Sequence, residues 1–126
     1  MSVATFRWKH LSSAKGDLLM PPGSDQQTLC LVGDVNRDGR ADILIGCRNA
    51  PQALVWYRQE TLGRWRVYLV EADAIPLEAG GALADIDGDG YPDLICKPFN
   101  WQTPRLDIRL MSNQPTEASR RKSSFR

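Results

Sequence analysis

An acidic loop written twice constrains this 126-residue chain more than any other feature. The first copy runs Asp34-Val35-Asn36-Arg37-Asp38-Gly39-Arg40-Ala41-Asp42. The second runs Asp85-Ile86-Asp87-Gly88-Asp89-Gly90-Tyr91-Pro92-Asp93. Each places oxygen-bearing side chains at its first, third, fifth and ninth positions and a glycine at its sixth. Alternate residues of a tight turn point inward, so the first three oxygens converge and the ninth returns to close a cage. A hard cation such as Ca²⁺ takes six to eight oxygen ligands and is served by this kind of arrangement. The seventh position needs only a backbone carbonyl, which is why Arg40 and Tyr91 are acceptable there. Gly39 and Gly90 fall where the chain must reverse, and a positive φ at those places is expected.

The surroundings of the loops separate two readings of this pattern. An EF-hand loop has helices on both sides and a bidentate glutamate at its twelfth position. The corresponding residues here are Ile45 and Cys96. The runs that follow the loops, Asp42-Ile-Leu-Ile-Gly and Asp93-Leu-Ile-Cys-Lys, are short and rich in β-formers. The runs that precede them, Thr28-Leu-Cys-Leu-Val-Gly and Gly81-Ala-Leu-Ala, have the same character, so each loop is expected to join two strands. Ordinary Asp/Asn/Gly turns without an ion are the plain alternative; the repetition in one strand–loop–strand setting argues against it. The second loop has four aspartates and no cationic residue, whereas the first has three aspartates, an asparagine and two arginines. Ligand charge raises affinity, so the second is expected to bind more tightly.

Further strands are predicted at Ala53-Leu-Val-Trp-Tyr, Arg64-Trp-Arg-Val-Tyr-Leu-Val and Leu106-Asp-Ile-Arg-Leu, with Thr61-Leu-Gly as a hairpin turn. Arg7-Trp-Lys-His-Leu resembles Arg64-Trp-Arg-Val-Tyr and is expected to be the last strand of a preceding unit. Met20-Pro-Pro-Gly and Ala74-Ile-Pro-Leu-Glu-Ala-Gly-Gly are read as connections between units. The chain therefore divides into patterned β-units over 1–111, one complete and one partial, and a polar, basic and disordered tail over 112–126.

Composition narrows the function classes. A net charge of +1 implies no polyanion partner, so nucleic acid is not expected. There is no apolar run long enough to span a membrane, and the first ten residues lack a signal-peptide core. Cys30, Cys47 and Cys96 are odd in number and are expected to be free, small hydrophobes rather than a disulfide framework. His10 is the only histidine. No nucleophile–base spacing, phosphate-cradling glycine loop or zinc-ligand spacing is present, so an enzyme is not expected. Trp56 with Tyr57, and Phe99 with Trp101, could offer stacking faces to a sugar, although packing within the fold is the plainer role.

Gly33-Asp-Val-Asn-Arg-Asp-Gly-Arg-Ala-Asp-Ile-Leu-Ile-Gly and Ala84-Asp-Ile-Asp-Gly-Asp-Gly-Tyr-Pro-Asp-Leu-Ile resemble FG-GAP/VCBS repeats, the calcium-loop blades of integrin α-subunits and many bacterial propeller proteins. The resemblance implies an all-β fold of four-stranded antiparallel β-propeller blades, with the metal loop joining the first two strands. It implies two Ca²⁺ sites. One would use Asp34, Asn36, Asp38, Arg40 (through its carbonyl) and Asp42; the other Asp85, Asp87, Asp89, Tyr91 (likewise) and Asp93. About two blades make an incomplete propeller, since closure takes four or more. A longer parent chain, or further copies of this one, would complete it. The implied role is a calcium-binding structural or interaction module for a protein or glycan ligand. The alternative is a remnant of a carbohydrate-active propeller enzyme of the lyase or dehydratase kind. Proteins of this family are often secreted or periplasmic.

Overall fold

The computed structural model describes residues 2–21, 26–48, 54–70, 77–98, 108–111 and 113. Seven strands and no helix occur among them: β1 (Gln27–Gly33), β2 (Asp42–Cys47), β3 (Leu54–Thr61), β4 (Arg64–Leu69), β5 (Leu77–Ala84), β6 (Asp93–Pro98) and β7 (Arg109–Met111). They form two antiparallel meanders, one ordered β1-β2-β3-β4 and the other β5-β6-β7. Each sheet begins with the same device, a strand, an acidic loop and a returning strand. Gly33 pairs with Asp42 across the first loop and Ala84 with Asp93 across the second. The architecture is that of propeller blades in an open arrangement, as the repeat implies.

Alternation in the strands explains which residues meet. Leu29, Leu44 and Leu54 of the first sheet are buried against Leu77, Leu94 and Cys96 of the second, with Leu31, Val35, Trp56, Leu83 and Met111 packed around them. Burying side chains of this size contributes about 1.5–3 kcal/mol each. The two sheets therefore share one core, formed chiefly where β1 lies against β5. Thr28 donates its hydroxyl to the Leu77 carbonyl at 3.0 Å, and Arg48 pairs with Glu78 at 2.5 Å. The Arg48 guanidinium holds the Glu78 carboxyl below its ordinary value. Gly81 allows the close approach. A Cβ there would sit 2.8 Å from the Ile95 carbonyl oxygen and 2.8 Å from a Leu29 methyl.

The hairpin between β3 and β4 turns at Leu62-Gly63, and Gly63 has φ +82°. Trp56 pairs with Tyr68 across this hairpin and their rings stack at 5.0 Å. Tyr57 faces the other side of the sheet, is buried, and donates its hydroxyl to the Leu19 carbonyl at 2.7 Å. Trp56 and Tyr57 thus face opposite ways and form no shared stacking surface. Their aromatic area is spent on packing.

Several expectations need correction. Residues 2–10 contain no strand, and Trp8 is 94% exposed. The Trp-bearing run resembles β4 in sequence, but no described strand pairs with it, and alternation without a partner ladder does not hold a strand. His10 accordingly lies off any strand, exposed, with its carbonyl accepting from Lys15. The segment from Leu77 to Gly81 is not a connection but the start of β5. Leu77 is anchored in the core, and Gly80 (φ +90°) carries a bulge between the Leu77↔Pro98 and Gly81↔Cys96 pairs. Cys47 and Cys96 are buried and in no disulfide, but Cys30 is exposed, because it alternates with Leu29 and Leu31 on β1. Of the last predicted strand, Arg109–Met111 is observed; Leu106-Asp107 lies outside the described residues. So do Pro22-Gly23, Ala74-Ile75-Pro76, the Phe99 and Trp101 pair and, Asn113 apart, the tail from 112.

The β1–β5 contact makes one prediction. Gly81→Ala forces either the Ile95 backbone or β1 to move, and overpacking of this kind costs about 1–3 kcal/mol. Urea denaturation should show that loss as a lower midpoint; an unchanged midpoint would mean that the two sheets touch only loosely.

Candidate metal centre

Both loops are organised by their own amides before any ion is considered. Asp34 accepts from the Asp38 N–H at 2.9 Å and the Gly39 N–H at 2.7 Å. Its counterpart Asp85 accepts from Gly88 at 2.9 Å and Gly90 at 2.8 Å. Asp38 accepts from the Arg40 N–H, and Asp89 from the Tyr91 N–H, both at 2.9 Å. These side-chain-to-backbone bonds are the Asx-type turns that Asp and Asn favour. Gly39 and Gly90 have φ +86° and +90°, as their place in the loop requires. At the fourth position Gly88 has φ +77°, and its counterpart Arg37 has φ +57°, a left-handed conformation that is costly for arginine.

The ninth-position aspartates are clasps as well as candidate ligands. Asp42 is fully buried and receives the Val35 N–H at 3.1 Å on one oxygen and the Gln59 N–H at 2.9 Å on the other. Asp93 is equally buried and receives Ile86 at 2.9 Å and Asn113 at 2.8 Å in the same way. Asp42 therefore ties the start of its loop to the third strand of its sheet, and Asp93 ties its own to the residue two past the end of β7. Gln59 also donates its side-chain NH₂ to the Ala41 carbonyl at 2.9 Å, and Asn113 donates its own across to the Val35 carbonyl of the other loop at 2.8 Å. Neither Gln59 nor Asn113 was expected from the sequence. The available signal is that both are amide residues at one register, since Ile43 pairs with Tyr57 as Leu94 pairs with Met111.

The remaining ligand positions distinguish the loops. In the second, carboxylate oxygens of Asp85, Asp87 and Asp89 lie within 4.8 Å of one another, and all three residues are exposed. That spacing and that donor set fit a hard divalent cation. In the first, Asp38 and Asn36 are buried, with 5% and 6% exposure. One Asp38 oxygen accepts from the Asn36 amide at 3.3 Å and lies 3.9 Å from both the Arg40 and Arg58 guanidinium groups. The Asn36 carbonyl oxygen has no hydrogen-bond partner among the described residues. As arranged, the first loop suits a divalent ion less well than the second, because two guanidinium groups lie 3.9 Å from the Asp38 oxygen that would face it. Arg37, itself exposed, reaches over the second loop, its guanidinium 5.6 Å from the Tyr91 ring.

Burial pushes the Asp42 carboxyl up from its ordinary value, Asp38 adds to the rise, and the Gln59 and Val35 N–H groups oppose it. A carboxyl raised on folding stabilises the fold fully below its unfolded value of 3.8, and that contribution declines as pH rises through the folded value. Asp42→Asn abolishes this titration but leaves one N–H facing an amide donor, a loss of about 1–3 kcal/mol. Denaturation in chelator should show the variant less stable at neutral pH. The gap should widen toward pH 4, where wild type regains what its ionised carboxylate costs. A variant as stable as wild type would show that the clasp is dispensable.

A family model described as an FG-GAP-like repeat matches residues 34–96, from the first aspartate of one loop to the strand that follows the other. No match was found among curated proteins or among solved structures. The matched span is half of the chain, and within it lie both loops, three strands of the first sheet and most of the β5–β6 pair of the second. The chain belongs to the FG-GAP-like repeat family.

Proposed function

We propose that this chain is a calcium-binding propeller-repeat module whose role is structural and interactive rather than catalytic. The observation that carries the reading is the convergence of Asp85, Asp87 and Asp89 within 4.8 Å in an exposed loop. Three clustered carboxylates repel one another in the absence of a cation, and a divalent ion removes that repulsion while binding only the folded loop. The ion would use these three carboxylates. The Tyr91 carbonyl and Asp93 are the further donors expected by position.

The consequence for function is rigidity. The second loop joins β5 to β6, and β5 packs on β1, so an ion there stiffens the seam between the two units. Loops held in this way present a defined surface to a protein or glycan ligand, which is the interaction role proposed. The open sheets accept neighbouring units from a longer parent chain or from further copies.

Calcium should raise the melting temperature of the chelator-stripped chain. At a hundredfold excess over the dissociation constant the stabilisation is about 2.7 kcal/mol. Magnesium, which keeps its waters and demands a tighter octahedral site, should do less. Asp87→Asn and Asp89→Asn should each abolish most of the calcium effect. Scanning calorimetry in chelator, Ca²⁺ and Mg²⁺ reads these effects, and an identical melt with calcium and with chelator would remove the proposal.

A further inference from the structure

We propose that the first loop is closed by the chain's own Arg58 in place of a metal ion, so that the two loops of one design are held by two different cations. This rests on the calcium reading for the second loop and extends it to why the first differs. Arg58 lies on β3 on the same face as Leu54 and Trp56, so the sheet's alternation carries its side chain to the inner face beneath the loop. It is 7% exposed, and its Nε is 3.9 Å from the buried Asp38 carboxylate, a charge contact rather than a hydrogen bond. Arg40 approaches the same oxygen from the loop, also at 3.9 Å.

The comparison between the two units supplies the independent support. Gln59 and Asn113 occupy the same place, since each donates its N–H to the ninth-position aspartate. The residue before Gln59 is Arg58, and the residue before Asn113 is Ser112, which carries no charge. At the seventh position the first loop has Arg40 and the second Tyr91. At the third it has Asn36 and the second Asp87. Each of these three differences makes the first loop less negative. A charge placed permanently beside Asp38 performs the electrostatic task of an ion, and it excludes one, because a divalent cation there must meet two guanidinium groups. The Asn36 amide adds to this, since its NH₂ faces the same Asp38 carboxylate at 3.3 Å.

Calorimetric titration of the full chain with CaCl₂ tests this, using wild type, Arg58→Met, Arg58→Lys and the double variant Asp85→Asn/Asp87→Asn. Wild type should take one equivalent. Arg58→Met should take a second, at an affinity at least about tenfold above that of the first loop in wild type. Arg58→Lys, which keeps the charge, should remain at one. The double variant, with Arg58 in place, should take none, and its melting temperature should not respond to calcium. Two equivalents in wild type, or a calcium-raised melt in the double variant, overturn the inference while leaving the calcium reading intact. If wild type takes none, the calcium reading fails, and Arg58→Met still decides the inference. One equivalent there supports it, and none overturns it. Should Arg58→Met fail to fold, the melt of the double variant decides between the two outcomes.

Discussion

Asp42 and Asp93 each receive N–H groups from two directions, and the geometry of both units follows from those bonds. One oxygen holds the second residue of the loop and the other holds a residue in the third strand (Gln59) or just past its end (Asn113). A carboxylate is suited to this because it offers two acceptor oxygens in one plane. Burial makes the charge costly, which is why the Asp42 carboxyl is pushed up, and the N–H groups it receives offset part of that cost while being satisfied themselves. The clasp therefore joins loop, second strand and third strand into one piece. The first, third and fifth loop positions are arranged on a frame that is already set.

On that frame the two units diverge in charge and in burial. The second loop leaves three carboxylates exposed together, an arrangement that favours an external cation. The first draws Asp38 under two arginines and buries it. Removing one partner of a buried ion pair leaves the other uncompensated at about 3–5 kcal/mol, so such a pair, once evolved, resists replacement by solvent ions. The unit with the internal cation is the four-stranded one. Its shared core with β5, β6 and β7 sets the second loop beside it, close enough for Arg37 to lie over Tyr91 and for Asn113 to reach Val35.

Much of this was legible in the sequence because the loop signal and the strand signal agree. Oxygen side chains at alternate positions, glycine at the reversal and short apolar runs on both sides all point to a strand–loop–strand unit; β1, β2 and β6 lie where that pattern puts them, and β5 starts four residues earlier than read. What was not legible depends on partners distant in sequence. Arg58 reads as a solvated charge in Trp-Tyr-Arg-Gln; only the pairing of β3 with β2 places it under a loop that ended sixteen residues earlier. Gln59 and Asn113 are ordinary polar residues until the sheet brings their N–H groups to a buried aspartate. The glycine pair at 80–81 has the composition of a turn, and the neighbouring sheet makes it a bulged strand instead. The Trp8 segment errs the other way. It carries a strand's alternation with no described strand beside it.

The central claim, that one loop design is closed by a metal ion in the second unit and by a guanidinium in the first, is tested most directly by anomalous diffraction from crystals soaked in calcium. A single peak among Asp85, Asp87 and Asp89, with Arg58 still against Asp38, is the predicted result. A peak in the first loop with Arg58 displaced, or none in the second, would contradict it.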